Sequence, residues 1–184
     1  GDISLSTTPI AGATIIPWNP NTPVANVLDP PPQACPSANV PQDPDSVDSP
    51  YDNRVGGPPL WVMGFAGYFQ TIATLTSFTR ANPPKYGWVR HVTLMLEGGA
   101  NGPVMLQGAG LQDGMPLLFS DPYSEQSPTT FLTVNPGISP VSNPDGGLIG
   151  GIASISLYIP AAGCYYLKAS WAGGSWEAIF AAGQ

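Results

Sequence analysis

The sequence has few charged side chains, and positive ones are especially scarce. Only 9% of the 184 residues are charged, with 5 Lys and Arg against 12 Asp and Glu, which gives a net charge of −7. Nucleic acids and anionic membrane surfaces are bound by clustered Lys and Arg, and no stretch of this chain clusters them. We therefore expect neither nucleic acid nor an anionic membrane surface among its partners.

Long apolar runs are also missing from the sequence. A helix that crosses a bilayer needs about 20 consecutive apolar residues, and no segment approaches that length. We therefore expect no membrane insertion by this chain. Its first residue is Gly1 rather than methionine, as expected of a secreted protein whose signal peptide has been removed.

The residues of common catalytic and metal sites are sparse. The single histidine, His91, excludes a histidine-based metal cluster, and no nucleophile-elbow, phosphate-loop or dinucleotide-binding motif is present. A lone histidine in the middle of a predicted strand more often packs or faces solvent than acts in catalysis, so we assign no catalytic residue and expect no enzyme. Five carboxylates offer acid and base groups for glycoside cleavage, but their spacing selects no pair; they are Glu97, Asp113, Asp121, Glu125 and Glu177. A small secreted hydrolase is the least favoured alternative.

Glycine and proline are abundant and interrupt nearly every window in which a helix would propagate. The chain has 22 Gly and 23 Pro, and the segments between them are short and rich in β-branched and aromatic residues. The segment "GWVRHVTLMLEGG" places Val92, Leu94 and Leu96 on one face with Trp88 near the rim. A second alternation, in "GGIASISLYIP", does the same for Ile155, Leu157 and Ile159. These patterns predict an all-β protein.

The C-terminal segment predicts a hairpin. "CYYLKASW" and "WEAIFAA" alternate in polarity on either side of "AGGS", and glycines supply the positive φ that tight hairpins need. We predict an immunoglobulin-like β-sandwich over residues 60–184. Residues 1–59 begin with an extended strand and continue into a proline-dense stretch, which we interpret as a long irregular arm packed on the sandwich.

The two cysteines, Cys35 and Cys164, lie in the arm and at the start of a C-terminal strand. A disulfide between them would pin the arm to the sandwich, as suits a protein outside the cytosol. Two separate buried thiols are the alternative. Four acidic residues in "DPDSVDSPYDN" suggest a calcium loop, namely Asp43, Asp45, Asp48 and Asp52. Because the spacing lacks the usual calcium-loop register, we favour a solvated acidic loop and expect no cofactor.

Aromatic side chains offer a possible glycan-stacking surface. We name Trp171, Trp176 and Tyr166 as the candidates, because broad rings stack on apolar surfaces and carry a polar handle. The alternative is that the two tryptophans form a cross-strand pair in the core beside the hairpin turn.

The segment "IPAAGCYYLKASW" with its return strand "GGSWEAIF" resembles the C-terminal ending of uncharacterised bacterial secreted proteins and lipoproteins. In those proteins a P-x-x-G-C-aromatic start leads the last hairpin of a β-sandwich. The "CP" at Cys35 and Pro36, followed by "GGPPLWV", is similar to their front. The resemblance covers about the last third of the chain and that short anchor. It implies secretion to the cell surface and a sandwich fold, and no particular activity.

Charged residues that would guard exposed strand edges are scarce. Monomeric sandwiches commonly protect their edges with lysine, and this chain has only Lys85 and Lys168. The arm or a neighbouring subunit would then cover the edges. We therefore expect a noncatalytic extracellular structural or adhesive module, part of a surface layer, filament or envelope complex, that meets protein partners or its own copies through strand edges. A carbohydrate-binding module is the main alternative.

Overall fold

The computed structural model describes residues 3–36, 54–66, 72–97, 100–137, 141–142 and 148–184, and the statements below concern these residues. Thirteen strands lie in them, almost all connected by turns and irregular segments. In chain order they are β1 (Ser4–Ser6), β2 (Arg54–Gly57), β3 (Leu60–Met63), β4 (Ala73–Leu75), β5 (Thr79–Arg80), β6 (Trp88–Glu97), β7 (Val104–Gly110), β8 (Leu118–Ser120), β9 (Phe131–Asn135), β10 (Val141–Ser142), β11 (Leu148–Ile159), β12 (Gly163–Trp171) and β13 (Gly174–Ala182). A 3-10 turn at Pro84–Tyr86 precedes β6.

The strands form two sheets. Sheet A has the order β1-β9-β7-β12-β13-β4, and sheet B has the order β10-β11-β6-β3-β2, with β5 also paired to β6 and β8 to β11. Every pairing is antiparallel except that of β13 with β4. One continuous apolar core lies between the sheets. The predicted all-β sandwich is thereby confirmed, while its immunoglobulin-like character stays a prediction.

The core is built by the alternation that the sequence predicts for the two long strands of sheet B. In β6, Val92, Leu94 and Leu96 are buried, and Trp88 is half-buried and packs against the core. In β11 the three inward residues are fully buried, and they are Ile155, Leu157 and Ile159. Because successive strand residues point to opposite faces, the residues between them form the outer face of sheet B.

The predicted C-terminal hairpin is confirmed as β12 and β13. Trp171 pairs with Gly174, so Ala172 and Gly173 form a two-residue turn. Trp176 pairs with Ala169 rather than with Trp171. The two tryptophans therefore lie at successive positions along the inner face instead of directly opposite each other.

The N-terminal arm covers much of the outer face of sheet A. After β1 pairs with β9, the hydroxyl of Thr133 donates to the Thr8 carbonyl over 2.6 Å, and the Gln107 amide donates to the Thr14 carbonyl over 3.3 Å. Met105, which precedes Gln107 by two residues and so shares its face, is only 1% exposed. The arm therefore buries apolar side chains on a sheet face that solvent would otherwise reach.

The arm is then fixed at the end of the sandwich. The Ala25 carbonyl accepts hydrogen bonds from Arg80 and Trp88, at 2.6 and 2.9 Å. Further along the arm, the Asp29 carbonyl accepts a hydrogen bond from the backbone N–H of Gln184. The disulfide Cys35–Cys164 then links the arm to β12, with the two Cα atoms 5.7 Å apart. The predicted disulfide is confirmed. Within the range assigned to the arm, β1 joins sheet A and β2 joins sheet B.

The buried phenol of Tyr165 on β12 is expected to make the free energy of unfolding fall at high pH. Its side chain is buried and its hydroxyl donates to the Ala161 carbonyl. Burial raises the pKa of the phenol, the charge of Asp113 raises it further, and the hydrogen bond to Ala161 opposes the shift. An unfolded tyrosine ionises near pH 10. The stabilisation from neutral Tyr165 is therefore complete below about pH 10 and is lost as the pH rises above it.

We expect the free energy of unfolding of the wild type to fall more steeply above about pH 10 than that of Tyr165→Phe, by up to ~1.4 kcal/mol per pH unit. Urea unfolding across the alkaline range measures both slopes. Parallel curves for the two proteins would contradict the assignment. The remaining tyrosines are common to both proteins and cancel in the comparison.

Candidate functional site

The three aromatic residues that the sequence offers for glycan stacking do not lie together on one surface. Trp176 is only 7% exposed, packs in the core and donates its indole hydrogen to the Leu60 carbonyl over 3.0 Å. Tyr166 lies on the opposite face of sheet A, because it alternates with the buried Tyr165. The third residue, Trp171, is half-buried at the end of the sandwich. Strand alternation already places Tyr166 and Trp171 on opposite faces of β12, whereas the position of Trp176 beside Ala169 is known only from the strand pairing.

Trp171 lines a wide groove at the hairpin end of the sandwich, which we call the Trp171 groove. It has a volume of about 920 Å³, and its walls come from the arm, the β2–β3 turn, the residues before β7 and the β12–β13 turn. Most of the lining is apolar, with Pro58 and Pro59 among the residues. Its carboxylate, Glu97, already accepts a hydrogen bond from the Trp61 indole over 2.9 Å. The groove therefore offers few directional groups to a ligand.

Tyr166 lies on the uncovered part of the outer face of sheet A. It is half-buried between the paired residues Ala109 and Ile179. Burial raises the pKa of its phenol, and the nearby negative charge of Glu177 raises it further. Nearby, Lys168 on β12 is directly paired with Glu177 on β13. Tyr166 lines neither the Trp171 groove nor the groove on sheet B that is described next.

A second, polar groove lies on the outer face of sheet B, and we call it the β8–β11 groove. Its volume is about 420 Å³, and its floor carries His91 from β6, Ser120 from β8 and Ser156 and Tyr158 from β11. These residues meet because Ser156 pairs with His91 on one side and with Ser120 on the other. Three hydrogen-bonded strands thus hold the floor side chains in fixed positions.

Two segments form the walls of the β8–β11 groove. One wall is the segment at residues 82–86, which holds the 3-10 turn, and the other is the β8–β9 loop at residues 121–128. The loop contains two hydrogen bonds of its own. The Asp121 carboxylate accepts from the backbone N–H of Tyr123 over 2.9 Å, and the Ser124 hydroxyl accepts from the backbone N–H of Gln126 over 3.2 Å. Each of these bonds spans two residues and stabilises a turn within the loop.

The floor contains two hydrogen-bonded pairs. The Ser156 hydroxyl lies 3.1 Å from Nδ1 of His91, and the Ser120 hydroxyl lies 3.0 Å from the hydroxyl of Tyr158. Ser156 is only 3% exposed, so its hydroxyl is poorly placed to attack a substrate. A serine–histidine nucleophile normally has a carboxylate that hydrogen-bonds the histidine and orients its ring. Among the described contacts, no carboxylate makes such a bond to His91.

The acidic residues singled out in the sequence are dispersed. Asp121 and Glu125 line the β8–β11 groove, whereas Glu97 lines the Trp171 groove. The proposed calcium-loop residues Asp43, Asp45, Asp48 and Asp52 lie outside the described residues. Within the described ranges, no group of three or more His, Cys, Asp or Glu is arranged to hold a metal ion.

Sequence reasoning missed the β8–β11 groove. The β8–β9 loop also carries Tyr123, which is 88% exposed but is not among the residues that line the groove. In the sequence, "SDPYSEQSP" is a polar, turn-rich segment, which indicates an exposed loop and not a groove. What the sequence did not reveal is that β8 pairs with β11 and so places this loop above His91.

Comparison of the chain with protein families, with curated proteins and with solved structures finds no match. The resemblance of the C-terminal hairpin to bacterial secreted proteins therefore stays a prediction. In the described part of the chain, no helix has the length and apolar character needed to cross a bilayer.

Proposed function

We propose that this protein is a noncatalytic adhesive module of the cell exterior, and that it binds its target through the β8–β11 groove. The observation that carries the proposal is a difference between the outer faces of the two sheets: the arm covers part of one, and the other has an open groove. On sheet A the arm lies across the surface and buries Met105 and Phe131. On sheet B a polar groove lies open between the segment at residues 82–86 and the β8–β9 loop. Loops held by a rigid scaffold are where binding residues concentrate.

The extracellular part of the proposal rests on the disulfide. Cys35 and Cys164 are separated by 129 residues, and such structural bridges persist mainly in oxidising compartments. The bridge also fastens an arm that includes long irregular segments, which suits a protein exposed to proteases and shear. A role within a surface layer or envelope complex remains compatible with this design.

Adhesion is favoured over self-assembly through strand edges because the edge strands are short. β1 and β4, at the two edges of sheet A, have 3 residues each, and β2, at an edge of sheet B, has 4. These short strands offer few unpaired backbone groups to a partner. β4, however, pairs with only residues 180–182 of β13. Among the described strands nothing pairs with residues 174–179 of β13 on that side, so self-assembly along this stretch is the second candidate function.

The noncatalytic part rests on the geometry of Ser156 and His91. Their side chains face each other from directly paired positions on β11 and β6, as cross-strand hydrogen-bonded pairs commonly do. The buried hydroxyl of Ser156 favours a structural role over attack on a substrate. A small hydrolase is accordingly the weaker reading.

The proposal is tested with a variant that fills the groove with a bulky side chain, because such a variant should block any target that binds there. Ser127→Trp places a bulky ring in the wall of the groove, and Ser175→Trp places the same ring at an exposed position of β13 on the other sheet. Labelled protein would be applied to a panel of intact cells and extracellular-matrix coatings. We expect wild type and Ser175→Trp to bind at least one surface, and Ser127→Trp to bind it about tenfold more weakly. Equal binding by all three proteins, or none by the wild type, would overturn the proposal.

A further inference from the structure

We propose that two copies of this chain pair antiparallel along residues 174–178 of β13, so that sheet A continues from one copy into the other across a two-fold axis. The inference develops the second candidate function, self-assembly, and names its partner, its register and the residues that carry it. It does not depend on adhesion through the β8–β11 groove. It follows from the unpaired backbone of β13, the lack of edge protection there and the position at which β4 begins.

The free side of β13 carries backbone groups that nothing in the described structure uses. Because a two-residue turn joins β12 to β13, the residues that flank the turn are a hydrogen-bonded pair, and such pairs alternate along the hairpin. The backbone N–H and C=O groups of Ser175 and Glu177 therefore point away from β12. Gly183, which is in phase with them, donates its N–H to the Leu75 carbonyl on that side. Among the described residues, none hydrogen-bonds the backbone of Ser175 or Glu177 there.

This stretch of β13 lacks the features that commonly prevent strand addition. Sheet edges are protected by lysine, proline, a bulge or an inward-pointing charge, and residues 174–179, GSWEAI, contain no lysine or proline. The pairing of β13 with β12 has no register shift, and the one charged side chain, Glu177, is exposed rather than turned inward. Residues 174–179 are therefore open to an added strand.

A second unpaired stretch, residues 150–155 of β11, is less suitable. β10 pairs with β11 at residues 148–149, and β8 pairs with it at residues 156–158. An added strand would have to fit between these two strands. Residues 174–179 of β13 are limited at one end only, by β4, and the other end is the exposed β12–β13 turn.

The position of β4 selects the register of the pairing. β4 lies beside residues 180–182 of β13, so an added strand must end before residue 180. When Trp176 lies opposite its own copy, Ser175 faces Glu177 of the second copy, and the β12–β13 turn of each copy lies beside residue 179 of the other. The added strand therefore ends just before β4. The two-fold axis repeats the Ser175–Glu177 pair, and each such hydrogen-bonded pair exchanges two N–H···O bonds.

The side chains are compatible with this register. Like charges directly opposite each other destabilise a sheet, and a register centred on Glu177 would place the two Glu177 carboxylates in that arrangement. In the proposed register each Glu177 lies between Lys168 of its own β12 and Ser175 of the second copy. On the core side, Trp176 meets its own copy, and cross-strand aromatic pairs are favourable.

The pairing leaves the β8–β11 groove free. That groove is built on β6, β8 and β11, whereas the Trp176 ring of β13 lies against Gly56 of β2, the strand at the opposite edge of sheet B. A two-fold axis perpendicular to sheet A keeps sheet B of both copies on the same side. Both grooves therefore remain open and face the same way.

Sedimentation velocity of the purified 184-residue chain, from about 1 μM to about 1 mM, tests the pairing. We expect the mass of the wild type to rise from that of a monomer to that of a dimer. Ser175→Pro removes an N–H that points away from β12 and places a ring at the paired edge, so association should weaken about tenfold or more. Ser175→Ala keeps the N–H and should associate within about threefold of wild type. A wild type that stays monomeric, or equal association of both variants, overturns the inference.

Cysteine cross-linking tests the register without a proline substitution. The Cα atoms of a hydrogen-bonded pair lie about 5.5 Å apart, within the range of a disulfide. A mixture of Ser175→Cys and Glu177→Cys proteins should therefore oxidise to a covalent dimer that contains one of each, as mass spectrometry would show. No cross-link in the mixture, or more efficient cross-linking of Glu177→Cys with itself, overturns the inference.

The outcomes are separable from those of the adhesion test. If the chain pairs through β13 while Ser127→Trp binds cells as well as wild type does, the inference stands and adhesion through the groove falls. If the chain stays monomeric while Ser127→Trp loses attachment, the inference falls and adhesion stands.

Discussion

Replacing both Cys35 and Cys164 by serine is expected to lower the free energy of unfolding by about 4 kcal/mol. The reason is the size of the loop, since the bridge closes a separation of 129 residues. In the chain-entropy view, cross-linking distant residues removes conformations from the unfolded chain, and the effect grows with loop length. Chemical denaturation of the variant and of the wild type, under identical conditions without reductant, gives the difference directly.

The loss should be accompanied by local detachment of the arm. Without the bridge, the end of the arm keeps the hydrogen bond from Gln184 to the Asp29 carbonyl and the pair that Arg80 and Trp88 donate to the Ala25 carbonyl. Hydrogen exchange should therefore accelerate most at the backbone amides of Gln184 and Ala25, which donate to the Asp29 and Pro160 carbonyls. It should change least at β1, which is held by its own ladder with β9.

Two controls make the disulfide result decisive. Wild-type protein treated with reductant should reproduce the stability of the double serine variant, because both lack only the bridge. The single variant Ser124→Ala, in the β8–β9 loop, should unfold close to wild type, since surface substitutions usually change stability by less than about 0.5 kcal/mol. A double variant within about 1 kcal/mol of wild type would mean that the arm is held by its non-covalent contacts alone.

The sequence predicts the strands of the sandwich better than the path of the arm. β6 and β11 are recognisable because a half-buried strand must alternate, as Val92 and Ile155 show by lying on inward positions. The arm has no such period, and it is anchored through the carbonyls of Thr8, Thr14 and Ala25. Every residue carries a backbone carbonyl, so nothing in the identity of these three marks them as anchors.

The candidate site was harder to predict for a related reason. Ser156 and Tyr158 appear in the sequence as the polar half of an alternating strand, which indicates only that they face away from the core. They become the floor of a groove because β8, from a distant segment, pairs beside them and brings the loop of Asp121 and Glu125 to the edge of this sheet face. Such long-range pairing depends on the whole topology, and no local pattern records it.

Trp176→Ala is expected to destabilise the fold by about 3–5 kcal/mol, the range for deleting a large buried aromatic side chain. The ring fills the core, and its indole nitrogen satisfies the Leu60 carbonyl, so the change leaves both a cavity and an unpaired buried acceptor. Tyr166→Ala, on the outer face of the neighbouring strand, is the matched control, with an expected cost of about 1 kcal/mol or less. Thermal and urea unfolding measure both, and a Trp176→Ala protein as stable as Tyr166→Ala would return Trp176 to the list of ligand-stacking residues.

A double-mutant cycle with Gly56 tests the same contact from the other side. A Cβ added at Gly56 would lie 2.5 Å from the Trp176 ring, and Gly56 has a φ of +105°. Gly56→Ala therefore carries three penalties: the clash with the ring, a contact of 2.9 Å with the Leu60 carbonyl oxygen, and the backbone strain of an L residue at that φ. In a Trp176→Ala background only the clash with the ring disappears, so the cost of Gly56→Ala should fall by about 1 kcal/mol or more. Strictly additive costs would show that the Trp176 ring does not pack over Gly56, and the assignment of this tryptophan to the core would fail with it.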